Sequence, residues 1–315
     1  MRSVLCLAAL AAGIIGVSAA QASGGGSSET LNGTIRGMLH HKHKTATTTP
    51  AGAGRLVYHG GPVMNTNTTY AIYWQPAGST MQSGYSTLID QFFTDVAADS
   101  GLTTNVYYAA TQYSDGGGNV QYQSTFGGSY TDTTPLPASK CTDSYTSICL
   151  TDQQLRAELQ KDIAANGWPT GPSVEFFLFT AKGVGSCTGS SCAFGNFCGY
   201  HSWIGTGSTQ ILYANMPYAD TTKSRCDGGQ HPNANAADAT ISVVSHEHNE
   251  TITDPRSNAW YDAQNDENGD KCAWIYGPLS GTTAGAKWNQ TINGHHYFLQ
   301  EEWSNLDAGC VQSGL

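Results

Sequence analysis

Residues 242–255 read SVVSHEHNETITDP, and a helix through them sets both the architecture and the chemistry to expect of the chain. Positions i and i+4 stack on one face of an α-helix, so His246 and Glu250 can grip one cation together. Glu247 sits about 100° around the same helix, the offset of a general base acting on a metal-bound water in an HExxH helix. Here Glu250 replaces the second histidine, giving HExxE. Carboxylate oxygen is a zinc ligand, and its added negative charge predicts a weaker Lewis acid. Asn235 or Asp238 can cap the helix, and Thr253, Asp254 and Pro255 stop it. Ala237, Ile241 and Val244 recur at i, i+4, i+7 and predict one buried face.

The next stretch, NAWYDAQNDENGDKCAW at 258–274, returns four acids towards that helix: Asp262, Asp266, Glu267 and Asp270. Glu267 is the expected third zinc ligand and Asp262 the next choice. Asp270 is expected to accept the ring N–H that His246 does not use for metal, fixing its tautomer. Calcium is the alternative cation for this loop, because Asp, Asn and Glu are hard oxygen ligands, although their order is not that of an EF-hand.

Other pieces carry a resemblance: LVYHGGPVM at 56–64, TYAIYW at 69–74, CAFGNFCGYHS at 192–202, ENGDKCAWIYG at 267–277 and NGHHYFLQ at 293–300. With the SHEHNETITDP helix, they make the chain resemble the secreted Exordium-like, or phosphate-induced protein 1, family over most of residues 55–315. The likeness is to bacterial members with an HExxE zinc-metallopeptidase-like motif. The resemblance implies an extracellular zinc hydrolase acting on peptide or protein. Typical plant members often lack the HE pair, so it equally implies an alternative, a non-catalytic wall-associated or signalling module with a structural metal site.

The start of the chain has the form of an export signal. Arg2 precedes an apolar run from Val4 to Val17, and small residues end at Ala22, so residues 1–22 are expected to be cleaved. The run is too short to favour a membrane span, and no later segment offers one. Residues 23–54 are rich in Gly, Ser, Thr and Pro and predict a flexible lead. Its HHKHK tract at 40–44 reads as a solvated basic run. Beyond Cys6 lie eight cysteines, an even number that in an exported chain predicts four disulfides. Cys141 with Cys149 and Cys272 with Cys310 are the leading pairs. A net charge of -10 argues against a nucleic-acid partner.

The body, 55–315, alternates strand and helix and predicts one α/β domain, zincin-like, with a mixed sheet beside the active-site helix. Strands are expected at 69–74, 174–179 and 210–214, and an aromatic segment at 106–109. Helices are expected at 86–98 and from Thr151 to about 165. His59 and His201 are candidates to reach the cleft. His248, two positions from His246, points elsewhere. In NGHHYFLQ, alternation sends His295 and Tyr297 to one face and His296 to the other. Tyr297 is a candidate oxyanion donor and His201 a candidate substrate contact.

Overall fold

The computed structural model describes residues 54–314. The readings of 1–22 as an export signal and of the lead through residue 53 fall outside them. At the centre is a five-stranded sheet built from β1 (Asn67–Trp74), β2 (Ser124–Asp132), β3 (Val174–Thr180), β4 (Tyr200–Ile204) and β5 (Ile211–Met216), in the order β4-β5-β3-β1-β2. Four strands are parallel, and β4 joins β5 antiparallel at one edge, so the sheet is mixed. The inner strands β1 and β3 read NTTYAIYW and VEFFLFT and are buried almost throughout. Continuous apolar runs of this kind belong to strands covered on both faces.

Register fixes which side chains share a face. His201, Ala214, Phe177 and Ala71 stand opposite one another across β4, β5, β3 and β1. The helices α1 (Tyr85–Ala98) and α3 (Ala237–Thr253) lie over this row, with Phe93 of α1 and His248 of α3 both against the Phe177 ring. Two small residues, Ala71 and Ala214, let the helices come close. The opposite face carries Tyr200, Tyr213, Phe176 and Tyr70. There Tyr200 and Tyr213 both donate to Asp152 Oδ1, at 2.7 and 2.6 Å, at the start of α2 (Asp152–Asn166). Helices thus cover both faces of the sheet.

Local signals account for two of the helices. Thr151 and Gln154 form a capping box at the start of α2, and Gly167 ends it at φ 63°, a left-handed conformation that glycine adopts without steric cost. In α1 the buried positions Leu88, Ile89, Phe92, Phe93 and Val96 follow the helical period. The aromatic segment at 106–109 is a 3₁₀ helix, Val106–Gln112, started by the Asn105 side chain accepting from Tyr107 N–H. Asn235 Oδ1 accepts from Ala237 N–H at the start of α3, and Asp238 folds back onto the N–H groups of Asn233 and Asn235.

The expectation of one buried face on α3 is corrected by the structure. All 17 of its residues are buried, the polar ones included. The sheet and α1 cover one side, and α4 (Asn268–Lys271) packs on the helix from the loop that follows. Three hairpins complete the chain, pairing 281–283 with 286–288, 290–292 with 295–297, and 302–304 with 309–311. Four disulfides close it: Cys141–Cys149, Cys187–Cys192, Cys198–Cys226 and Cys272–Cys310.

Candidate metal centre

Three elements bring the acids and imidazoles together. His246, Glu247 and Glu250 project from α3, His201 from the edge strand β4, and Glu267 and Asp270 from the turn of α4. All six are buried. His246 Nε2 stands 3.0 Å from Glu250 Oε1 and 3.8 Å from Asp270 Oδ1. His201 Nδ1 stands 3.4 Å from Glu247 Oε2 and 3.6 Å from Glu250 Oε2, while its Nε2 faces Glu267 Oε1 at 3.8 Å. Two overlapping ligand groups result, His246–Glu250–Asp270 and His201–Glu247–Glu250, and Glu250 belongs to both.

The backbone is shaped to this cluster. The Asp270 N–H donates to Glu250 Oε1 at 2.8 Å and orients that carboxylate. Thr253 Oγ1 donates to Asn268 Oδ1 at 3.0 Å, tying the end of α3 to α4. Asp254 Oδ1 accepts N–H bonds from Asn258 and Ala259 and turns the chain back. Two glycines allow the close approach. A Cβ at Gly269 would lie 2.7 Å from His246 Nδ1, and one at Gly199 would lie 2.8 Å from Val243 Cγ1 and 3.2 Å from Glu247 Oε1.

Three further residues complete the surroundings without any signal from motif spacing. Gln300 bonds to His246 Nδ1, the ring nitrogen turned away from Glu250. It therefore occupies the place expected for Asp270, which lies on the Nε2 side beside Glu250. Burial, with the charges of Glu250, Asp270 and Glu247, holds the Glu302 carboxyl well above its usual range, against a lowering hydrogen bond from Gln300. Burial likewise raises Glu175, opposed by a bond from Thr251 and reinforced by Glu247. Gln300 ends the NGHHYFLQ segment, so only the recurrence of that segment could have drawn attention to it.

Other candidates lie elsewhere. Asp262 pairs with Lys271 Nζ at 2.6 Å and accepts from the N–H groups of Gln264 and Asp266. Tyr297 donates to Asp95 Oδ2 at 2.5 Å, and His295 Nδ1 lies 2.8 Å from the same oxygen, so the two share a face as alternation required. His296 turns the other way and stacks on Trp288. His248 contacts the Tyr107 hydroxyl and Asn67, and burial pushes its pKa down to about 3, which keeps it neutral. His59 stacks on Tyr261.

Fold and site together define a disulfide-linked, mixed α/β protein with a buried histidine–carboxylate cluster centred on one helix. The chain is similar to Protein EXORDIUM-like 3 of Arabidopsis thaliana, 26% identical over 298 residues that cover 82% of each chain, which supports the Exordium-like relationship. No family model matches the chain. No solved structure matches it either.

Proposed function

We propose that the chain is an exported zinc-dependent hydrolase of zincin-like design, acting as a peptidase, in which His246 and Glu250 hold the metal and Glu247 handles the proton. The observation that carries this reading is the buried His246–Glu250–Asp270 group, whose ligand atoms lie within 4.8 Å of one another, with Glu247 alongside on the same helix. Ligand atoms around a tetrahedral zinc stand about 3.3 Å apart when each bond is about 2.0–2.1 Å. The His246–Glu250 and His246–Asp270 separations, 3.0 and 3.8 Å, bracket that spacing. Imidazole nitrogens favour zinc over calcium, which takes oxygen ligands. Asp270, Glu267 and His201 compete for the third protein ligand.

When bound, zinc supplies Lewis acidity towards a scissile carbonyl. Glu247 takes the proton of the attacking water and hands it to the leaving amine. Gln300 fixes the His246 ring. An imidazole that gives Nε2 to the metal keeps its proton on Nδ1, and a half-turn of the Gln300 amide presents Oε1 to accept it. The Asp270 N–H holds one Glu250 oxygen in place.

Burial supports a second reading. Glu247 is 0% exposed, as is the rest of the His246–Glu250 segment. In that reading the chain is a non-catalytic extracellular Exordium-like module, wall-associated or signalling, whose metal ties α3 to the 262–270 loop. Metal content after purification without added zinc, followed by assay on casein and a peptide panel, separates the two. Stoichiometric zinc with cleavage supports the hydrolase. Stoichiometric zinc with no cleavage across the panel leaves the module.

A further inference from the structure

Across the sheet from α3, a second group of acids joins α2 to the end of β2. Glu158 and Asp162 are i and i+4 on α2 and share a face, and Asp132 closes β2. Each offers one oxygen, and the three oxygens lie within 4.8 Å of one another. Acidic residues often cluster without a ligand, so the cluster alone decides nothing. Two further observations do.

The first is Asp162 itself, 2% exposed, whose buried Oδ2 has no hydrogen-bond partner among the described residues. A carboxylate oxygen shut away from water without a donor is costly unless a cation or a proton compensates it. The second is Thr134. Its Oγ1 lies 2.9 Å from Asp132 Oδ2 and also 2.9 Å from Glu158 Oε1. A hydroxyl carries one proton, so one of these contacts sets two acceptor oxygens together. Positive charge is needed inside the group, whereas Lys161, paired with Glu158, lies at its exposed rim. Burial first, then the charges of Asp132 and Glu158, push Asp162 up to about 7, so above that pH a proton no longer fills the need.

We propose that Asp132, Glu158 and Asp162, with the Thr134 hydroxyl, bind a calcium ion that clamps α2 to the end of β2. The donors are all hard oxygens, which suits calcium and excludes a soft or imidazole-seeking metal. Water completes the coordination from the partly exposed Glu158 side. This site is separate from the α3 cluster and does not depend on the hydrolase reading.

The test uses the full chain, stripped of metal, at pH 8. Trp74 donates its indole N–H to the Thr134 carbonyl at 3.0 Å and is the built-in sensitiser for terbium, a calcium substitute. Tryptophan-excited terbium emission that calcium displaces is expected. So is a rise in melting temperature of about 5 °C at 10 mM calcium, the size expected for a ligand well above its dissociation constant. Asp162→Asn should lose both responses, and Glu250→Gln, across the sheet, should keep both. Should Asp162→Asn fail to fold, Thr134→Val serves instead, with calcium displacing terbium at least tenfold less readily. No emission and no thermal shift in the wild type would overturn the site, as would an unchanged response in the folded Asp162 or Thr134 variant.

Discussion

Glu247 and Glu250 are three positions apart on α3, and single substitutions there divide proton transfer from metal binding. Glu247→Gln is nearly isosteric and leaves both His246 and Glu250 in place. Zinc content and melting temperature should stay near wild type, while casein cleavage falls about a hundredfold, the scale of a lost general base. Cleavage that survives Glu247→Gln unchanged would place the chemistry elsewhere. Gly269 offers a test of the cluster's geometry. Its missing Cβ makes room for His246 Nδ1 at 2.7 Å, so Gly269→Ala must displace the imidazole or the α4 turn. Zinc affinity, read by competition with a chromophoric chelator, should fall tenfold or more while the far-ultraviolet circular dichroism stays native. An unchanged affinity would mean that the close approach of Gly269 to His246 does not set metal binding.

At the scale of elements, α3 depends on how its entry loop is tied. His231 donates at two points, Nδ1 to the Asn235 carbonyl at 3.0 Å and Nε2 to Asp227 Oδ2 at 3.0 Å. The hydrogen bond to Asp227 is the largest influence and lifts the His231 pKa to about 9, against burial. Burial raises Asp227, but the bond from His231, with others, leaves it below its ordinary value. A histidine raised on folding contributes stability that is full below its unfolded pKa of about 6.5. That contribution is lost as pH rises through about 9. Melting curves of wild type and His231→Gln should therefore differ most near pH 6 and converge between about pH 6.5 and 9; a gap independent of pH over that window would refute the coupling.

The elements also show what the residues disclosed and what they hid. Helix α2 was legible because Thr151, Gln154 and Gly167 are local signals that fix both of its ends. Strands β1 and β3 were legible as apolar runs. In contrast, STFGGSYTD at β2 lacks a run of large apolar side chains and reads as turn, because an edge strand leaves alternate positions exposed. The strand YHSWI of β4, at the other edge, is short and mixes Tyr, His, Ser and Trp, so it too offers no apolar run. The spacing of His246, Glu247 and Glu250 could be read because helical geometry is local. Gln300 could not, since a contact across 54 residues follows from tertiary packing alone. Asp262 was chosen by type, but a loop has no periodicity to aim a carboxylate, and Lys271 takes it.

At the scale of the molecule, covalent ties join the short outlying elements and turns, and none lies in the central sheet. Cys272–Cys310 spans 38 residues and anchors the last hairpin beside α4, and by chain entropy a loop of that length is worth about 4 kcal/mol. The two shortest loops, at separations of 8 and 5, lie on the small sheet of 148–151, 184–188 and 191–192 instead of constraining the whole chain. All eight cysteines of the described residues are paired, which leaves Cys6 as the one remaining thiol in the sequence. Titration of the unreduced protein in denaturant therefore reads two properties at once. On the proposed export, in which residues 1–22 are removed and take Cys6 with them, protein collected from the medium should show no reactive thiol. The same chain made with residues 1–22 retained should show one, and reduction before titration should release eight more in either form. Two or more thiols in the collected protein would mean that at least one of the four bridges is open, and would make the cysteines candidate metal ligands.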